Sequence, residues 1–166
     1  MFMDEGMDTG DMLLKEIVEI GEEETAGELF DRLSVLGAEV LSKTIDKLQD
    51  GTLTREKQNH DEATHVSMIS KELGKLDFNK TSKELDCLIR GVNPWPGAYF
   101  EINGKKIKVH KVKILDKKGD PGSVIESDPK NGLIVGTLDG AVELIEIQPE
   151  NKKKMLAKDY LRGNSI

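Results

Sequence analysis

The period of the apolar positions changes halfway along the chain, at Asn93-Pro94-Trp95-Pro96-Gly97-Ala98. Before this stretch, apolar residues recur at helical spacing, and after it they alternate between turns. Proline at 94 and 96 removes two backbone donors and fixes two φ angles. The residue before each proline is disfavoured in a helix. A helix must therefore end here, and the chain must leave in an extended conformation.

The longest helical pattern runs from about residue 26 to 49. Its apolar positions are Leu29, Phe30, Leu33, Leu36, Val40, Leu41, Ile45 and Leu48. Thr25 and Glu28 match a capping box at its start, and Gly51 is a stop signal after its end. The pattern predicts an amphipathic helix whose apolar stripe needs a partner surface, which we expect to be a sheet.

Two shorter helices are predicted further along. Thr81 and Glu84 repeat the capping-box pattern before a helix at about 82–92, and another helix is expected at about 152–162. The second helix would bury Leu85, Leu88, Ile89 and Val92. Near the chain start, residues 1–3 and 12–20 favour strands, although their period is mixed.

Beyond residue 98 the pattern predicts a series of strands. Asn103-Gly104 is a strong two-residue hairpin signal, and a long strand follows from Lys105 to about Leu115. Its apolar residues change parity in the middle, so a β-bulge near His110-Lys111 would return Ile107, Val109, Val112 and Ile114 to one face. Turns at 120–122, 128–132 and 139–140 separate further short strands. Five or six such strands predict a small barrel.

The charge is uneven along the 166 residues, which allow one domain or two small ones. Net charge is −7, with −11 over residues 1–70 and +4 over residues 71–166. A polyanionic partner would therefore meet the second half, although two ordinary solvated surfaces are the alternative. The single cysteine, Cys87, excludes an internal disulfide and favours a reducing compartment. With no signal peptide pattern and no apolar run near the ~20 residues of a membrane span, we expect a cytoplasmic protein.

The first candidate for chemistry is an acidic turn formed by Asp4, Glu5, Asp8 and Asp11. Closely spaced carboxylates can hold a proton or orient a water, but a solvated turn with capping aspartates has the same pattern. The three histidines lack metal-ligand spacing, so no metal site is predicted. Nucleophile-elbow and phosphate-loop motifs are absent. Cys87 is expected to be buried and inert.

The second candidate consists of two basic groups. One is the strand stripe Lys105, Lys106, Lys108, Lys111, Lys113, Lys117 and Lys118; the other is Lys152, Lys153 and Lys154. Three lysines at the start of the predicted last helix oppose its dipole, at about 0.3–1 kcal/mol each, which hints at a functional contact with phosphate. A lysine-lined barrel could track a nucleic-acid backbone.

Two segments together resemble the methionyl-tRNA formyltransferase family: residues 3–13, MDEGMDTGDML, and residues 88–98, LIRGVNPWPGA. In that family an N-terminal doubly wound domain binds formyl-tetrahydrofolate, and a C-terminal barrel resembling an OB-fold helps hold initiator tRNA. The resemblance implies the α/β end of a truncated catalytic domain over 1–50, a linker over 51–70 and a mainly β barrel domain over 71–166. Phe78 departs from the family, which usually has tryptophan there.

The resemblance also implies site residues. The family transfers a formyl group to the amine of methionyl-tRNA through a tetrahedral intermediate, using an asparagine, a histidine and an aspartate. Asp8 matches the aspartate, whereas no residue here matches the other two, so we expect this chain alone to be inactive. Asp4, Glu5 and Gly6 are the expected cofactor-binding residues. The expected tRNA contacts are Arg90, Lys105, Lys106, Lys108, Lys111, Lys113, Lys152, Lys153 and Lys154.

Three further expectations follow. The complete enzyme would be monomeric, while this chain could self-associate through the exposed stripe of its long helix. Trp95 is expected to be a packing anchor between the second helix and the first barrel strand.

Two alternative functions remain open: a related formyltransferase acting on a sugar-nucleotide amine, or a non-catalytic RNA-binding barrel.

Overall fold

A computed structural model describes the whole chain, from Met1 to Ile166, and its backbone contacts divide it into two compact units. The first unit comprises Met1–Glu24 and Glu28–Met68. The second comprises Thr25–Gly27 and Ile69–Ile166. The three domain ranges inferred from the sequence stay predictions.

Helix α1 (Ala26–Gln49) matches the predicted bounds, and all of it except its first two residues belongs to the first unit. None of its residues is buried, and Phe30 is 72% exposed. The strands predicted at 1–3 and 12–20 are wrong, because the only sheet-like pairing there is an isolated bridge between Met12 and Glu56. A single bridge leaves the rest of residues 12–20 without a neighbouring strand.

The second unit is built on one antiparallel sheet of six strands. These are β1 (Ala98–Ile102), β2 (Lys105–Leu115), β3 (Val124–Asp128), β4 (Gly132–Gly136), β5 (Ala141–Pro149) and β6 (Met155–Leu156). Their order is β1-β2-β5-β4-β3, and β6 pairs with β5. Because β1 and β3 lie at opposite ends and do not pair, the sheet is open and the predicted barrel is not confirmed.

Local signals placed the β1–β2 hairpin correctly. Asn103 and Gly104 have φ values of 50° and 70°, as a type I′ turn requires. The register of β2 against β5 shifts between Val109 and Val112, which is the predicted bulge. Ile107, Val109 and Val112 are consequently buried on one face. Ile114 follows Val112 by two residues with no further register shift, so it lies on the same face as predicted, although it is 44% exposed.

Helix α2 (Ser82–Gly91) covers the sheet and begins at the predicted capping box. The Glu84 amide donates to Thr81 Oγ1 at 3.2 Å, and the Thr81 amide donates to Glu84 Oε2 at 2.9 Å. Leu85 and Ile89 enter the core from this helix. Ser82 Oγ lies 2.7 Å from Thr137 Oγ1, a buried pair that joins α2 to the β4–β5 turn.

Helix α3 (Ala157–Leu161) is shorter than the predicted 152–162. Met155 and Leu156 pair with β5 as β6, so the backbone stays extended until residue 156. Lys152, Lys153 and Lys154 therefore do not stand at a helix N-terminus, and the argument from the helix dipole is wrong. None of the helices is long and apolar enough to cross a membrane.

Two residues expected inside the core lie outside it. Trp95 is 57% exposed, because the turn closes with the Gly97 amide bonded to Val92 O and it is Ala98 that becomes fully buried. Cys87 is exposed on the face of α2 that points away from the core. The core is lined by Leu76, Leu85, Ile89, Val92, Ala98, Phe100, Ile107, Val109, Val112, Leu133, Val135, Val142, Leu144, Ile147, Ala157, Tyr160 and Leu161.

Candidate active-site loop and basic strand face

The acidic turn is a closed loop in the first unit. The Phe2 amide donates to Asp11 O at 2.9 Å and closes its base. Gly10 is buried against this closure, where a Cβ would lie 1.9 Å from Phe2 O, so only glycine fits. A Cβ on Gly6 would likewise lie 2.6 Å from Thr9 Oγ1. The loop backbone therefore requires glycine at position 10, whereas a side chain at position 6 would require the Thr9 side chain to move.

Asp8 lies at the turn of this loop with φ 55°, in the left-handed region. Asp8 is exposed, as are Asp4, Glu5 and Gly6. Asp4 Oδ1 accepts a hydrogen bond from the Glu5 amide at 2.8 Å, and no lysine or arginine pairs with Asp8. The loop thus presents carboxylates that can accept hydrogen bonds from a ligand or a water.

The segment after α1 packs against this loop, which the sequence analysis missed. Gln58 Nε2 donates to Asp8 O and to Gly10 O, both at 2.7 Å. Met12 and Glu56 exchange two backbone hydrogen bonds of 2.8 and 2.9 Å. The Arg55 guanidinium lies 4.2 Å from the centre of the Phe2 ring. The sequence predicts a linker over residues 51–70 because their polar composition has no period, and the contacts of Arg55, Glu56 and Gln58 have no signature in the sequence.

The basic stripe lies in the second unit, on the outward face of β2. Lys105, Lys106, Lys108, Lys111 and Lys113 are all exposed, and the bulge keeps the last four on one face as predicted. Part of this charge faces glutamates of β5. Lys111 is in register with Glu146, and Lys113 with Glu143. These glutamates also pair with Lys154 at 2.5 Å and Lys158 at 3.3 Å, respectively.

The least neutralised end of the stripe is at Lys106 and Lys108. Lys106 Nζ lies 3.5 Å from the centre of the Tyr99 ring. Lys106 is in register with Glu101 on β1, but neither lysine has a carboxylate within ion-pair distance. A cleft of about 160 Å³ opens beside them, lined by Lys106, Lys108, Gln148, Pro149, Glu150 and Asn151. This end is the best-placed part of the face to meet a phosphate.

His110, at the bulge, adds no charge to the face near neutral pH. Burial lowers the pKa of its imidazole, and the neighbouring Lys154 and Lys108 lower it further. A 3.3 Å contact between Nε2 and Gln148 Oε1 and the charge of Glu146 oppose this shift of the pKa without reversing it. The imidazole therefore stays neutral below the usual pH of its titration.

The other expected tRNA contacts are placed less uniformly. Arg90 Nε bonds Asp86 Oδ2 at 3.2 Å on the same helix, and only 16% of the Arg90 side chain is exposed. Lys152 Nζ lies 5.0 Å from the centre of the Tyr160 ring. Lys153 is exposed without an ion pair, whereas Lys154 is paired with Glu146. The described chain contains no group of three or more His, Cys, Asp or Glu side chains that could hold a metal ion.

Family models match both ends of the chain. The formyl transferase C-terminal domain matches residues 68–165, and a second formyl transferase model matches residues 1–45. The methionyl-tRNA formyltransferase of Clostridioides difficile is 46% identical over 168 residues, covering 100% of this chain and 54% of that protein. The one from Agathobacter rectalis is 47% identical, covering 98% of this chain and 53% of that protein. The chain thus spans about half the length of the curated relatives it matches.

Solved structures share the fold at lower identity. HypX from Aquifex aeolicus in complex with tetrahydrofolic acid gives a TM-score of 0.66 at 18% identity, covering 95% of this chain and 28% of that one. An N-formyltransferase from Helicobacter canadensis, in complex with folinic acid and dTDP-3-aminofucose, gives a TM-score of 0.65 at 23% identity. The match covers 92% of this chain and 53% of that one. At these identities the similarity establishes a formyltransferase-like fold.

Proposed function

The chain belongs to the formyltransferase family, and we propose that it forms part of a methionyl-tRNA formyltransferase. That enzyme would transfer a formyl group from formyl-tetrahydrofolate to the amine of initiator methionyl-tRNA, in the cytoplasm. The observation that carries the proposal is an identity of 46–47% to curated methionyl-tRNA formyltransferases along essentially the whole chain. Residues 1–50 would end the catalytic domain, 51–70 would be the linker, and 71–166 would be the C-terminal domain.

Asp8 is the residue we assign to the chemistry. When the amine attacks a formyl carbon it must lose a proton, and an exposed carboxylate held on a closed loop can orient a water that accepts it. General acid–base assistance of this kind contributes typically about 10²–10⁴-fold to a rate. The oxyanion-stabilising asparagine and histidine of the family have no counterpart among these residues, so the chain by itself should not turn over.

Asp4, Glu5 and Gly6 are proposed to hold one edge of the folate. The folate supplies the formyl group, and its pterin ring carries N–H donors that need acceptors. Ionised Asp4 and Glu5 are acceptors only, both are exposed, and Gly6 places no side chain between the loop backbone and a ligand. The residues present therefore fit one edge of such a group.

The lysine face is proposed to meet the tRNA backbone. A row of exposed lysines on a strand suits contacts with phosphates that do not read the bases. The exposed lysines are Lys105, Lys106, Lys108, Lys111, Lys113, Lys152, Lys153 and Lys154. Arg90 is the weakest of the assigned contacts, because it is already bonded to Asp86 and mostly covered.

A sugar-nucleotide formyltransferase is the second candidate. It is favoured by the fold shared with the Helicobacter canadensis enzyme, whose structure holds dTDP-3-aminofucose. A small amino-sugar substrate needs no extended basic surface, so the lysine face argues for tRNA. Sequence identity also favours tRNA as the substrate, because it is 46% to a methionyl-tRNA formyltransferase and 23% to the Helicobacter canadensis enzyme.

The test uses a chimera of this chain and the Clostridioides difficile relative. This chain replaces the 54% of the relative that it matches, and the rest of the relative keeps its place in the sequence. We expect the chimera to formylate initiator methionyl-tRNA with formyl-tetrahydrofolate, while the chain alone gives no turnover. A dTDP-amino sugar serves as the competing substrate. Formylation of the sugar nucleotide without formylation of the tRNA would reverse the assignment. A folded chimera that formylates neither would remove it.

A further inference from the structure

We propose that Gln58 is a positioning residue for Asp8. Its side-chain amide bridges the carbonyls of Asp8 and Gly10 and so fixes the backbone from which the Asp8 carboxylate projects. The inference rests on the proposed function, in which the loop carries the chemistry, and it assigns a role to a segment otherwise interpreted as linker.

The hydrogen-bond chemistry leaves one orientation for this amide. A primary amide has two N–H groups, and both are used, each at 2.7 Å to one of the two carbonyls that flank Thr9. Rotating the amide by 180° would set its oxygen against two carbonyl oxygens, with no donor between them. The contact therefore specifies an amide, since neither a carboxylate nor an apolar side chain of similar size could replace it.

Partial burial sets Gln58 apart from its neighbours. Between residues 51 and 70 every residue is exposed except Leu53 and Gln58. A glutamine in a solvated linker has no reason to lose solvent contact, because its amide is well hydrated. Here the Asp8 and Gly10 carbonyls accept the hydrogen bonds that water would otherwise accept from the Gln58 amide, which explains why this polar side chain packs against the loop.

The backbone brings Gln58 to the right position. Met12 and Glu56 form an antiparallel bridge, so two residues further along, Gln58 lies across from Gly10. The loop base is closed separately, by the Phe2 amide on Asp11 O.

Asp8 needs such support because it holds a left-handed backbone conformation. Aspartate tolerates φ 55° better than most residues other than glycine, but right-handed and extended backbone angles are still more favourable for it, and a loop without the Gln58 hydrogen bonds would be freer to relax towards them. Such a relaxation would move the carboxylate relative to its target. A displacement of about 1 Å can cost on the order of 10²-fold in rate.

The first arm of the test measures kinetics in the chimera described above. Gln58→Leu keeps the size and removes both donors, and we expect kcat to fall by about 10–100-fold while KM for methionyl-tRNA stays within about threefold. Gln58→Glu should be at least as impaired, because its carboxylate would face two carbonyl oxygens. Gln49→Leu, the same change at an exposed position near the end of α1, is the matched control and should leave the rate unchanged.

The second arm separates positioning from mere folding. In an Asp8→Asn background, measured by single turnover with excess enzyme, Gln58→Leu should cost less than about threefold, because its effect passes through Asp8. A loss in that background as large as in the wild type would overturn the positioning role. An unchanged kcat for Gln58→Leu in an active chimera would overturn it as well.

The third arm uses the chain alone and does not depend on catalysis. Hydrogen exchange of the Phe2–Met12 loop should accelerate in Gln58→Leu and stay unchanged in Gln49→Leu. Equal exchange in both variants would refute the contact itself. A chimera that fails to formylate while the exchange result holds would instead count against the proposed function.

Discussion

Neutralising the exposed lysines of β2 should weaken tRNA binding in a way that salt reveals. The perturbation is the triple variant Lys106→Ala, Lys108→Ala and Lys111→Ala. Each phosphate contact contributes about 0.9 to the slope of log K against log salt for duplex and about 0.7 for single strands. Three contacts would therefore lower the slope by about 2–2.7.

The structure adjusts this magnitude. Lys108 is in register with the neutral Gln148 on β5, whereas Lys106 is in register with Glu101 on β1 and Lys111 with Glu146 on β5. A partly neutralised lysine contributes less, so we expect a slope change near 2. At about 0.15 M salt a slope of 0.9 corresponds to roughly fivefold in affinity per contact, which gives about 25-fold for two full contacts.

The assay is fluorescence anisotropy with labelled initiator tRNA over about 50–300 mM salt, on the full chain. The matched control removes three exposed lysines of the same unit that were not assigned to tRNA: Lys80→Ala, Lys83→Ala and Lys130→Ala. The control should keep the wild-type slope. If both triple variants lose the same slope, the binding is non-specific charge attraction. If neither does, the β2 face is not the tRNA surface.

The remaining predictions concern stability and the loop. Thr137→Val should lower the free energy of unfolding by about 1–3 kcal/mol in chemical denaturation, because Ser82 Oγ and the Gly140 amide lose a buried partner; Ser127→Ala should be near neutral, since the buried Ser127 Oγ has none. Burial lowers the pKa of His110, so as the pH falls the unfolded chain binds a proton before the folded chain does. The free energy of unfolding should therefore decrease as the pH drops below about 6.5. His110→Gln should make this decrease smaller when chemical denaturation is measured at several pH values. Gly10→Ala should open the loop, seen as faster hydrogen exchange at residues 2–12, and protection equal to wild type would contradict the packing at Phe2.

Elements specified by short-range chemistry were predictable from the sequence. The capping box at Thr81, the turn at Asn103-Gly104 and the bulge after Val109 each depend on residues within a few positions of one another. The bounds of α1 followed from its helical period together with the start signal at Thr25 and Glu28 and the stop signal at Gly51. The family resemblance in residues 3–13 and 88–98 is confirmed by the relatives. The catalytic role of Asp8 that the resemblance implies stays a prediction, since spacing alone left a solvated turn open.

Long-range arrangements were not predictable in the same way. Closure of a barrel requires β1 to meet β3, and no local pattern specifies whether two distant strands pair. The sequence predicts a helix that begins at Lys152, Lys153 and Lys154, because the pairing of Met155 with Ile147, which keeps the backbone extended, is likewise non-local. The Gln58 bridge joins a side chain to carbonyls 48 and 50 residues away, so it has no period and no motif.

The most direct test of the central claim, that the Asp8 loop of this chain carries the chemistry of formyl transfer, is the formylation rate of the chimera with Asp8→Asn. We expect kcat to fall by about 10²–10⁴-fold with methionyl-tRNA binding unchanged. Asp46→Asn, the same change on exposed α1, should keep the wild-type rate. An Asp8→Asn chimera that formylates methionyl-tRNA within about threefold of wild type would contradict the account.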